Sequence, residues 1–167
     1  MKRIAVLLAA ICILSSASFA AGGITAVSVD VATGALGGIG MPSLRLAMSK
    51  DMSVDLGVNY SQTAANSSTI ALMARVNNKL FAISKTANAI WGGNLTLLSA
   101  TAAGVGTTTI SLNGTVGAEI RLTPDLAGFA LVNVIGLSQT STGGASTTLV
   151  NLLTGPNIAY TGLTLYL

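Results

Sequence analysis

The sequence predicts an all-β chain, an eight-stranded antiparallel up-and-down transmembrane β-barrel preceded by a cleaved signal peptide. Three observations carry this. Apolar and polar residues alternate along one strand-length segment after another. Several arms approach the ~9–11 residues that a tilted strand needs to cross a bilayer. Charged residues make up only 8% of the 167, far below the roughly 25% usual in soluble domains, and mean hydropathy is strongly positive. After the N-terminus no apolar run reaches eighteen residues uninterrupted by Asn, Thr, Asp or Arg, so the spanning elements are not helices.

Residues 1–20 stand apart. Lys2-Arg3 precedes an apolar run from Ile4 to Leu14, followed by the small-residue site Ser18-Phe19-Ala20; this reads as a secretory signal peptide cut after Ala20, leaving residues 21–167 as one barrel domain. The single cysteine, Cys12, lies inside that segment, so the mature chain uses neither disulfides nor thiol chemistry. Without Lys2 and Arg3, six of the eight basic residues remain against five acidic ones, and this near-neutral balance gives no support to a nucleic-acid partner.

Strand one, Ile24 to Ala32, sets Val27, Val29 and Val31 against Ser28 and Asp30 and ends in the glycine-rich stretch 34–38. Strands two and three, 40–49 and 52–60, form a hairpin about Lys50-Asp51; the second arm sets Met52, Val54, Leu56, Val58 and Tyr60 against Ser53, Asp55, Gly57 and Asn59. A polar loop, 62–67, leads to strand four, which begins near Ser68 and loses its alternation at 78–83, where a bulge is expected. Residues 84–88 turn the chain into strand five, with Trp91, Leu95 and Leu97 opposite Asn94 and Thr96.

The stretch 109–137 is a hairpin about Thr123-Pro124-Asp125, following the small loop 102–106. Its first arm, strand six, places Ile110, Leu112, Val116, Ile120 and Leu122 on one parity and Ser111, Asn113, Thr115, Glu119 and Arg121 on the other. Strand seven, 126–138, has no consistent register: the parity that puts Asn133 on the wet face puts Phe129, Leu131, Ile135 and Leu137 there too. A long loop is expected at 139–156 and strand eight at 157–167.

The few charges assign the faces, because Arg or Lys at mid-bilayer on the lipid side costs ~2–4 kcal/mol. Asp30, Arg45, Asp55, Arg75, Glu119 and Arg121 all fall on the polar parity and are expected to face the lumen. Both signs occur there, and an eight-stranded interior is just wide enough for side chains to fill. Phe81, Trp91, Phe129 and Tyr166 near the turn end, with Tyr60 and Tyr160 near the loop end, suggest interfacial girdles.

No histidine is present, which excludes a Ser-His-Asp triad and histidine metal ligation. The glycine pairs lack the Lys-Ser/Thr of a phosphate loop, and no spacing sets two carboxylates at a shared site. No enzymatic activity, cofactor or metal is expected.

The last residues, Tyr160-Thr161-Gly162-Leu163-Thr164-Leu165-Tyr166-Leu167, resemble the C-terminal assembly signal of bacterial outer-membrane β-barrels, with Tyr160, Gly162, Leu165 and Leu167 at its positions and Leu167 where the family usually ends in Phe or Trp. The hairpins 44–60 and 116–134 likewise resemble the small outer-membrane barrel domain. The resemblance implies residence in outer-membrane lipid and insertion by the barrel-assembly machinery after periplasmic chaperoning. The expected role is structural or surface-interacting. The alternatives are a narrow pore lined by Arg45, Arg75 and Arg121, and a secreted β-protein such as an adhesin.

Overall fold

The computed structural model describes residues 24–32, 40–64, 66–152 and 159–167. The expected signal peptide lies outside them. Nine strands follow one another: β1 (Ile24–Ala32), β2 (Gly40–Ala47), β3 (Met52–Ala64), β4 (Ser67–Ala82), β5 (Ala87–Ala102), β6 (Val105–Arg121), β7 (Leu126–Thr142), β8 (Ala145–Leu152) and β9 (Ala159–Tyr166). All pairings are antiparallel. Each strand pairs with its sequence neighbour from β1 to β8, and β9 bridges β7 and β1. This closes the sheet into a ring of eight positions.

The eighth position is shared. Ile135–Thr142 of β7 pairs with β8, whereas Leu126–Val132 of the same edge pairs with β9. The expected loop at 139–156 is therefore corrected: most of it is hairpin. Thr and Ser are good strand residues despite their polarity, and Gly143 and Gly144, at φ +56° and +90°, supply the two positive φ values of the tightest hairpin turn. Ala103 and Gly104, at +48° and +82°, do the same between β5 and β6. β3, β6 and β7 are accordingly longer than expected.

The opposite end carries a repeated turn. In Met48-Ser49-Lys50-Asp51, Ile83-Ser84-Lys85-Thr86 and Leu122-Thr123-Pro124-Asp125, the first two backbone N–H groups donate to one carbonyl, that of Met52, Ala87 or Leu126. The Ser49, Ser84 and Thr123 hydroxyls accept from the backbone N–H of Asp51, Thr86 and Leu126 respectively. The last turn carbonyl, of Asp51, Thr86 or Asp125, then accepts from the backbone N–H of Lys79 on β4, Arg121 on β6 or Tyr166 on β9.

Register in β7 is resolved by a bulge. Thr115 faces Asn133 and Gly114 faces Ile135, so Val134 is the extra residue. Phe129, Leu131 and Asn133 lie on the lumen parity below it, while Ile135 and Leu137 lie on the outer face above it. A second shift, between Lys79 and Phe81 in β4, lies where the alternation fails.

Side chains enter the interior of the ring at several levels. Its lower and middle layers hold Arg45, Asp55, Arg75, Asn77, Asn94, Thr115, Glu119 and Thr164, all buried. Phe129, Leu131, Ile90 and Tyr160 form one apolar cluster, and Met41, Ala71 and Met73 a second nearer the glycine-turn end. Above these, a ladder of hydroxyls continues between β6 and β7, with Thr109 to Thr140 at 3.0 Å and Thr107 to Thr142 at 2.9 Å.

Candidate functional site, a charged cluster across the lumen

Sheet register assembles the cluster. Arg45 on β2 pairs with Asp55 on β3, Asp55 with Arg75 on β4, Arg75 with Asn94 on β5, and Asn94 with Asn113 on β6. Five strands thus place five polar side chains on one rung facing inward. Their spacing along the chain is incidental; what matters is that directly opposed residues have Cβ atoms about 4.5–5.5 Å apart.

Asp55 is the hub. Arg45 donates from Nε to Oδ1 at 2.7 Å and from Nη2 to Oδ2 at 3.1 Å. Arg75 donates to Oδ2 from Nη2 at 2.6 Å and from Nε at 3.1 Å, and Asn77 Nδ2 donates to the same oxygen at 2.8 Å. From the other side of Arg45, Nη1 reaches across the lumen to Glu119 Oε2 at 2.7 Å and to the Tyr166 hydroxyl at 3.0 Å, while that hydroxyl donates to Glu119 Oε1 at 2.8 Å. Two guanidinium groups and two carboxylates balance in charge. Asp55 and Arg75 are 0% exposed, where an unpaired charge would cost several kcal/mol. The fork geometry of Arg suits it to this bridging.

The face of Arg75 lies over the Phe129 ring, 4.7 Å from its centroid, and Arg121 lies over the Tyr166 ring at 4.9 Å. Phe129 fits because its partner across the strand pair is Gly162. A Cβ on Gly162 would come within 2.5 Å of both Phe129 Cζ and the Val29 carbonyl oxygen. Gly162→Ala should therefore lower barrel stability by about 1–3 kcal/mol, read as the urea midpoint of the refolded protein. Phe129→Leu in the same chain should restore part of that loss, since adjacent residues couple, while the Val29 carbonyl limits the recovery.

Of the charges expected in the lumen, the structure brings together Arg45, Asp55, Arg75 and Glu119. Arg121 sits exposed at the mouth, with Nη1 3.4 Å from the Pro124 carbonyl oxygen. Asp30 occupies a rung opposite Met41 and Gly162, and its side chain lies outside the described residues. In the terminal segment Tyr160 is buried inward, while Leu165 and Leu167 are exposed on the outer face. The girdle expectation needs correction. Phe129, Tyr160 and Tyr166 face the lumen, and Phe81, Trp91 and Tyr60 remain outside. Tyr166 was legible from its shared parity with Gly162 and Thr164; Phe129 was hidden by the bulge.

Among the described residues no group of three or more His, Cys, Asp or Glu could hold a metal, and both cluster carboxylates are engaged by arginine. The arrangement ties the wall together, from β2 across the lumen to β6 and β9. No protein-family model matches the chain, and no curated protein does. Among solved structures it is similar to the crystal structure of CarO from Acinetobacter baumannii, with a TM-score of 0.40 and 11% identity over 87% of this chain and 98% of that one.

Proposed function

We propose that the chain is a small, non-enzymatic outer-membrane β-barrel with a structural or surface-interaction role and a lumen closed by its own side chains. The carrying observation is an inverted distribution of polarity. Asp55 and Arg75 are wholly buried while Leu112, Ile135, Val58 and Leu163 are each more than half exposed on the outer wall. A water-soluble monomer rarely exposes a continuous apolar surface of this kind; a closed barrel in lipid needs one. On β6 the apolar belt runs from Ile110 to Leu122, roughly 30 Å along the membrane normal for a rise of about 3.4 Å per residue and a tilt of about 40°.

The N-terminal signal sequence and the terminal Tyr160-to-Leu167 pattern support export and insertion by the barrel-assembly machinery. With Lys50, Asp51, Lys85 and Asp125 in the four-residue turns and Lys79 and Arg121 on the strands that lead to them, that end is assigned to the periplasm and the glycine-turn end to the cell surface. The pore alternative is disfavoured because Arg45 and Arg75, two of its three lining residues, are tied to carboxylates, Arg45 across the lumen to Glu119 and Arg75 to Asp55 on the adjacent strand.

The test is fractionation together with cold and boiled gel mobility after refolding in detergent, then planar-bilayer recording. The expected result is a heat-modifiable band in the outer-membrane fraction without steady single-channel conductance. Recovery as soluble protein would overturn the membrane assignment, and stable unitary currents would overturn the closed lumen.

A further inference from the structure

We infer that the outer rim at the glycine-turn end carries a binding site for a neutral saccharide. It is a concave pocket of about 520 Å³ between the β3–β4 and β5–β6 connections, lined by Tyr60, Gln62, Asn66, Ser67, Ser68 and Thr101, with Ala103 and Gly104 at its edge. That volume is within the usual range of small-molecule sites. Register puts Tyr60, Gln62, Ser68 and Thr101 on the outer face, on adjacent strands, just above the apolar belt.

The chemistry narrows the occupant. A pyranose presents a ring of hydroxyls that both donate and accept, and one face of C–H groups that packs on an aromatic ring. The pocket offers the complement: amides from Gln62 and Asn66, hydroxyls from Ser68 and Thr101, and the exposed Tyr60 ring. The Tyr60 hydroxyl donates to Gln62 Oε1 at 3.1 Å, which fixes the ring at the pocket wall. An acyl chain would leave those amides and hydroxyls facing hydrocarbon. A phosphorylated or acidic sugar would lack a counter-charge, because the sequence has no charged residue between Asp55 and Arg75, between Lys85 and Glu119, or after Asp125. The sugar is thus neutral, and it is either free or the headgroup of a glycolipid beside the barrel.

The inference rests on the membrane-barrel reading, and the two can fail separately. Heat-modifiable mobility reports the barrel; the Tyr60 ring reports the pocket. The protein is refolded in a sugar-free zwitterionic detergent with ring-labelled tyrosine. It has three tyrosines, and Tyr160, buried, and Tyr166, in the charged cluster, are internal references. Maltohexaose is titrated as the free probe, and nanodiscs with and without digalactosyl diacylglycerol supply the anchored one.

The expected result is a saturable shift of the Tyr60 resonance alone, assigned through Tyr60→Phe, with affinity at least fivefold weaker in Gln62→Ala and Thr101→Val barrels that keep heat-modifiable mobility. A shift with maltohexaose assigns a free saccharide; one confined to nanodiscs assigns a glycolipid. A Tyr60 resonance unmoved by either probe, equal affinity in both variants, or tighter binding of glucose 6-phosphate than of glucose would overturn the inference.

Discussion

Asp55→Ala should destabilise the barrel by about 3–5 kcal/mol, the range found when one member of a buried ion cluster is removed. The carboxylate accepts five hydrogen bonds, from Arg45, Arg75 and Asn77. Its loss takes from Arg45 and from the fully buried Arg75 the carboxylate they share. Urea unfolding followed by Trp91 fluorescence measures the change, since Trp91 is the sole tryptophan and lies on the outer face. Asp55→Asn should cost less, because its amide oxygen still accepts. Asp55→Leu combined with Arg75→Met should regain much of the loss, as apolar replacement of a buried pair often does. Equal midpoints for Asp55→Ala and the unaltered protein would show that the cluster contributes nothing to stability.

Gly117→Ala should prevent the barrel from closing. A Cβ there would collide with the Ala130 carbonyl oxygen and lie 2.8 Å from the Leu131 Cα. These are backbone atoms of the neighbouring strand, so no rotamer change relieves the contact; β6 and β7 must separate where Gly117 pairs with Leu131. Gly106→Ala is the control, with nothing within 4 Å and an expected effect within about 0.5 kcal/mol. The check is the heat-modifiable fraction after refolding, which should fall to background for Gly117→Ala and stay unchanged for Gly106→Ala. A normal folded fraction for Gly117→Ala would mean that the two strands can move apart without breaking the wall.

Much of the architecture was legible because two faces in contact with different media impose a period of two, and β3 and β6 display it without interruption. Parity alone also placed Arg45, Asp55, Arg75 and Glu119 on one face. Their meeting around Asp55 was not legible, because it depends on cross-strand register and on reach across the lumen. The bulge at Val134 reversed parity midway along β7, which made a regular strand look contradictory and sent Phe129 to the wrong side. The Ser/Thr-rich stretch after Gln139 misled in another way. Polarity was read as a loop, although threonine is well suited to an extended wall that has risen above the apolar belt.

The repeated four-residue turn has a bearing on ring size. Each of the three turns hands one carbonyl to the next strand along, whether that strand opens another hairpin or, as β9 does, ends the chain's last pairing. The join is generic, and the hairpin is the natural unit by which such a wall could grow or shrink. The bond from Arg45 to Glu119 is different, because it spans the interior and its length is fixed by a guanidinium and a carboxylate. The rim would tolerate a duplicated hairpin; the crosspiece would not reach. The circumference is therefore gauged from the inside by the reach of one arginine to one carboxylate.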